Sequence, residues 1–202
     1  MTIGPADEIR SLLDNRFAAR EKAITGSRKV IRSSANGIRA LHRGEWSQAD
    51  ELIGDAKSVL DEIVGALEDH PELLHAGFVN DAAKEYAEAR ITRSIFLADG
   101  IPGFEELGVD PVPYLHGLGE AVGEMRRRML DMLRDESLDQ AKALLEQMDD
   151  IVDELATFDY PDGMTAGLRR TTDVARSLVE RSRSDLTSTV VQERLREDLR
   201  NP

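Results

Sequence analysis

Apolar residues recur every three or four positions through most of this chain, and no stretch alternates apolar and polar residues with the β-branched enrichment of a strand. The pattern predicts helices from end to end, cut by Gly and Pro. A first helix is expected from about Pro5 to His42, where Arg43-Gly44 supplies a basic last turn and a stop. A second starts at Ser47 as N-cap, with Trp46 as a staple or core residue before it, and runs to about Glu68. The third is expected from Pro71 to Ala98, ahead of the break Asp99-Gly100-Ile101-Pro102-Gly103, and a short helical turn lies near Phe104 to Leu107. A fifth runs from about Pro113 to Arg134, and a sixth opens on the capping-box pattern Ser137-Leu138-Asp139-Gln140 and ends near Phe158. Beyond the break at Asp159-Tyr160-Pro161-Asp162-Gly163, a long last helix reaches about Leu199. The fold class is all-α: a bundle of about seven helices, as a single domain spanning residues 1–202.

Polar residues inside the apolar pattern point to chemistry. In Lys84-Glu85-Tyr86-Ala87-Glu88-Ala89 the two glutamates are three apart on one helix face. At about 100° per residue, Glu85 falls beside Phe78, Ala82, Ala89 and Phe96, and Glu88 next to Ile95, with Thr92 between them and Asp81 as an outer member. A carboxylate in an apolar arc is costly unless paired, and a divalent cation can gather several of them. The fifth helix carries Glu120 and Glu124 four apart, opposite its apolar arc of Tyr114, Leu118, Val122, Met125 and Met129. They are read either as a solvated face with local ion pairs or as part of a metal site. Gly117, Gly119 and Gly123 each weaken a helix interior by about 1 kcal/mol, and because Gly117 and Gly123 flank the glutamate face, something is expected to approach the backbone closely there.

With no cysteine and four scattered histidines, disulfides, thiolate sites and a Cys nucleophile are excluded, and the histidines are expected at the surface or an interface. Hard oxygen donors favour Mg²⁺ or Mn²⁺. The net charge is −13, yet between Ile9 and Arg43 nine basic residues face two acidic ones, a net +7. Within that stretch Arg28, Lys29, Arg32, Arg39 and Arg43 are the candidate nucleic-acid contacts. Aromatic content of 4% argues against base stacking as the main grip, so binding is expected to be led by phosphates. Scarce lysine, arginine in its place and surplus acid suggest a high-salt cytoplasm. The Arg126-Arg127-Arg128 run is either a solvated face or a phosphate holder, and no apolar run predicts a leader or a membrane span.

Three stretches give this sequence a resemblance to the translin/Trax family, above all its archaeal Trax-like members: Arg28-Lys29-Val30-Ile31-Arg32 through Leu41-His42-Arg43-Gly44-Glu45, the run Lys84 to Ala89, and Tyr114-Leu115-His116-Gly117-Leu118-Gly119-Glu120-Ala121-Val122-Gly123-Glu124-Met125. The resemblance covers most of the chain. It implies a translin-like fold, a closed octamer-like homo-oligomeric shell, single-stranded RNA and also single-stranded DNA as partners, and a Mg²⁺-dependent endoribonuclease in which Glu85, Glu88, Glu120 and Glu124 form the acidic cluster. The Trax pattern commonly has Asp where this chain has Glu120, which keeps the charge on a longer arm. Three functions compete: a metal-dependent endoribonuclease, a translin-like binding protein without chemistry, and a redox carboxylate bundle, for which the usual Glu-x-x-His pairs are absent.

Overall fold

The computed structural model describes residues 5–200, and these form nine helices and no strand. They are α1 (Ala6–His42), α2 (Trp46–Ala66), α3 (Pro71–Leu74), α4 (Gly77–Leu97), α5 (Phe104–Leu107), α6 (Pro111–Arg134), α7 (Leu138–Ala156), α8 (Asp162–Thr165) and α9 (Leu168–Arg200). Residues 1–4 and 201–202, the ends of the domain expected from the sequence, lie outside the described residues.

The helix following Ala76 is the centre of the molecule. α4 packs against α1 and α2 on one side and α6 on the other, while α6 continues into α7 and α9. Small side chains permit this: Ala82, Ala83, Ala87 and Ala89 are all buried, together with Val79, Tyr86 and Ile91. The buried positions of α4 fall around most of its circumference, which places the helix inside the bundle rather than on its surface. α6 fixes the second half of the core through Leu118, Val122, Met125 and Met129, all buried.

The long helices overhang this core. α1 has 37 residues, about 55 Å at 1.5 Å per residue, and its burial begins only at Ala23. Its free end carries Ile9, Leu12, Leu13 and Phe17 in solvent, Phe17 at 63% exposure. The far end of α9 likewise shows Val191, Leu195 and Leu199.

Several local expectations are corrected. The third helix is two: the chain turns at His75-Ala76, with Ala76 extended at ψ 145°, before α4 begins at Gly77. α6 starts two residues early because Pro111, whose missing N–H costs nothing there, occupies its first turn. Neither expected cap forms. Glu45 precedes α2, leaving Ser47 inside the helix and Trp46 36% exposed rather than in the core, and Ser137 precedes α7 without a side-chain bond to it. Among the described residues no helix is long and apolar enough to cross a membrane.

Candidate metal centre and nucleic-acid interface

Gly117 brings two helices together. A Cβ placed on it would lie 2.8 Å from the Lys84 carbonyl oxygen, 2.9 Å from the Ala87 Cβ and 2.9 Å from the Glu88 backbone nitrogen. Only a glycine lets α6 come this near the Lys84–Glu88 turn of α4. Gly119 makes a similar notch for Thr171 of α9, whose Cγ2 would stand 2.5 Å from an added Cβ, whereas Gly123 meets only Leu178 at 3.8 Å. The close approach expected beside the glutamates is present at Gly117 and absent at Gly123.

Across that notch the carboxylates meet. Glu85, Glu88 and Glu120 each offer an oxygen within 4.8 Å of the others. Glu120 shares the arc of α6 that holds Gly117, so the helix packing turns it towards α4, while its side chain stays 37% exposed. Glu88 is the buried member, 9% exposed. Burial pushes its carboxyl up to about 8, with the charges of Glu85, Glu120 and Glu124 pushing the same way and Lys84 opposing them. Asp81 is exposed and stands apart.

Lys84 lies among these groups. Its Nζ donates to both Glu120 oxygens at 2.8 and 2.7 Å and is 3.1 Å from Glu85. Burial works to lower its pKa, but the Glu120 hydrogen bond and the charges of Glu120 and Glu85 outweigh it and hold the pKa above the usual lysine value.

Glu124 is held separately. It sits 2.5 Å from His42 Nε2 and 4.0 Å from Arg127. His42 is not a surface histidine: its side chain is 3% exposed, with Phe96 edge-on at 5.2 Å. Arg128 in turn lies over the Phe96 ring, 5.6 Å from its centroid. The His42 Nδ1 is buried without a hydrogen-bond partner, so the tautomer that donates from Nε2 to Glu124 avoids a stranded N–H. Sequence reasoning missed His42, although it stands in the Leu41-His42-Arg43 stretch. Lys84 was missed because a cation beside two glutamates reads as an ordinary surface pair.

The raised Glu88 value has a measurable consequence. The folded chain keeps this proton between about pH 4.5 and 8, where the unfolded chain has lost it, so stability falls as pH rises through that window. Glu88→Gln carries no such proton. In metal-free urea unfolding it is expected to be more stable than wild type by roughly 2–4 kcal/mol at pH 8.5 and nearly equal at pH 4.5. Equal stabilities at both pH values would contradict the raised value.

The candidate nucleic-acid residues form one arc. At about 100° per residue Arg28, Arg39, Arg32, Arg43 and Lys29 fall within roughly 100° of each other, opposite the buried Val30, Ser34 and Leu41, and all five are exposed. Arg39 donates to Asn36 and Arg43 to Glu45, while Arg28, Lys29 and Arg32 have no acidic partner among the described residues. The Arg126-Arg127-Arg128 run divides its work: Arg126 bonds Ser182 and Asp185 of α9, and Arg127 and Arg128 belong to the Glu124 surroundings. His116 is structural, with Nε2 donating to the Thr165 carbonyl and Nδ1 accepting from the Thr171 hydroxyl, each at 2.8 Å.

No family model matches the chain. It is 33% identical to a solved structure described as an AfC3PO–duplex RNA complex, with TM-score 0.84 over 93% of this chain and 97% of that one. A crystal structure of AfC3PO matches at 33% identity and TM-score 0.83 with the same coverage. A crystal structure of apo-NeC3PO, 19% identical, has the same fold at TM-score 0.84 over 94% of this chain and 99% of its own. An uncharacterized protein of Methanocaldococcus jannaschii is 28% identical over 200 residues, 96% of this chain and 88% of that protein.

Proposed function

Because the chain belongs to the translin/Trax family, alongside the C3PO proteins, we propose that it binds RNA and cleaves it internally with a divalent cation held by Glu85, Glu88 and Glu120. The meeting of these three carboxylates at the α4–α6 notch carries the proposal. The donor set fits the ion: three hard oxygen ligands, one of them on a buried carboxyl that holds its proton near neutral pH and gives it up when a cation takes its place. Mg²⁺ or Mn²⁺ bound there supplies the charge that activates water and stabilises a phosphodiester under attack. Glu124, fixed by the His42 Nε2–H, is the carboxylate left to accept a proton beside them. Arg28, Lys29, Arg32, Arg39 and Arg43 bind phosphates and set the RNA along α1.

Single-stranded RNA is the proposed substrate, with single-stranded DNA as a second ligand, and since AfC3PO is described with duplex RNA the test includes both strand states. Labelled single-stranded and duplex RNA incubated with Mg²⁺, Mn²⁺ or EDTA is expected to give internal cleavage of the single strand with either ion and none with EDTA. The rival reading, a binding protein whose glutamates are structural, draws on Lys84, which pairs with Glu85 and Glu120 without a metal. It predicts bound but intact RNA under all three conditions.

The phosphate-binding arc has its own test. Removing Arg28 and Arg32 together by alanine is expected to lower the log-log slope of RNA affinity against salt by about 1.4, near 0.7 for each phosphate left without its cation. An unchanged slope would move RNA binding to another face.

The overhanging apolar faces of α1 and α9 support assembly into a homo-oligomeric shell, since a cluster of large apolar residues on an exposed helix end is rarely left to water. Light scattering is expected to give a multimer for wild type and a smaller mass for Leu13→Glu/Phe17→Glu. A wild-type monomer at micromolar concentration would rule out the shell.

A further inference from the structure

We propose that Lys84 is a built-in counter-cation of the carboxylate site, its ammonium standing between Glu85 and Glu120 and competing with the divalent ion for them. The inference rests on the reading of Glu85, Glu88 and Glu120 as metal ligands. Its observation is geometric: Lys84 Nζ lies 2.7 and 2.8 Å from the two Glu120 oxygens and 3.1 Å from Glu85. Those are two of the three carboxylates that converge within 4.8 Å.

An ammonium and a divalent cation cannot share the same two carboxylates. Lysine donates from three N–H groups on one compact charge, so both Glu120 oxygens and Glu85 are satisfied by a single group. A second cation within a few ångströms of it is strongly repelled in a half-buried site. The lysine side chain is long, flexible and 22% exposed, so it can swing to solvent without disturbing the α4 backbone. The position of Lys84, immediately before Glu85 on α4, ties the competitor to the ligands it neutralises. Two consequences follow. The metal-free site is partly neutralised and α4 and α6 stay packed without an ion, and the site loads only when the divalent ion is concentrated enough to displace the lysine.

Lys84→Met keeps the length of the stem and removes the charge. Mn²⁺ binding, followed by the electron paramagnetic resonance of the free ion, is expected to be on the order of ten- to a hundredfold tighter in Lys84→Met than in wild type. Its metal-free melting temperature is expected to fall and its Mn²⁺-induced rise in melting temperature to grow. Equal or weaker Mn²⁺ affinity in a folded Lys84→Met overturns the counter-cation and leaves the metal site standing. Absence of binding to both proteins overturns both readings. The wild-type protein gives a second readout that does not depend on the variant folding: the ¹⁵N-detected Lys84 ammonium signal is expected to move as Mg²⁺ is added, and a signal unmoved while Mg²⁺ binds overturns the proposal.

Discussion

Replacing Glu88 by Gln is expected to abolish Mg²⁺- or Mn²⁺-dependent RNA cleavage, a fall of about a thousandfold or more in rate, which corresponds to roughly 4 kcal/mol of lost transition-state stabilisation. Size and hydrogen bonding are conserved in that change, and only the charge that a hard cation requires is removed. RNA affinity is expected to stay within about twofold of wild type, because phosphate binding along α1 supplies the free energy. The variant is expected to fold, since Gln fills the buried position without the proton that Glu88 must hold there in the metal-free protein. Single-turnover cleavage of a labelled RNA, with affinity measured in parallel, checks both halves. Full metal-dependent activity in Glu88→Gln would remove Glu88 from the site.

Gly117→Ala is expected to damage fold and site together. The added methyl would meet the Lys84 carbonyl oxygen and the Glu88 nitrogen under 3 Å, and backbone atoms inside a packed helix cannot turn aside as a side chain would. α6 must then move away from α4, an overpacking cost of about 1–3 kcal/mol that lowers the melting temperature by roughly 2–12 °C in a chain of this size. The same movement draws Glu120 away from Glu85 and Glu88, so divalent-ion binding is expected to weaken even at temperatures where the variant is fully folded. Gly123→Ala is the matched control. Its methyl meets only Leu178 at an ordinary 3.8 Å, and the better helix propensity is expected to leave stability unchanged or slightly raised. Equal melting temperatures and equal Mn²⁺ affinities for Gly117→Ala and wild type would show that the notch does not set the carboxylate geometry.

Helices were legible in the sequence because Gly and Pro punctuate it and because amphipathic periodicity survives in α2, α6 and α7. The break at His75-Ala76 was not, since Pro71 already looked like a helix start and nothing in His75-Ala76-Gly77 is a strong stop. Ser47 falls inside α2 because that helix already begins at Trp46, and Ser137 holds the N-cap position of α7 without bonding its side chain to the helix end. Glu85 and Glu88 stood out as carboxylates inside an apolar arc. Glu120 could not be placed in the same way: a helical wheel describes one helix, and α6 packs against α4, α7 and α9 at once, so its second buried face is set by tertiary packing. The glycines were the better signal, and Gly117 marks the place where α4 approaches. Glu124 shares a helix with Glu120 yet pairs with His42, from the opposite half of the bundle, a partnership over 82 positions that no local pattern encodes.

Anomalous scattering from a crystal grown in Mn²⁺ locates the ion itself. One strong peak is expected within bonding distance of oxygens from Glu85, Glu88 and Glu120, with the Lys84 ammonium displaced from between Glu85 and Glu120. Density that shows no ion there, at Mn²⁺ concentrations well above those used for cleavage, with Lys84 still bonded to Glu120, would contradict the metal site.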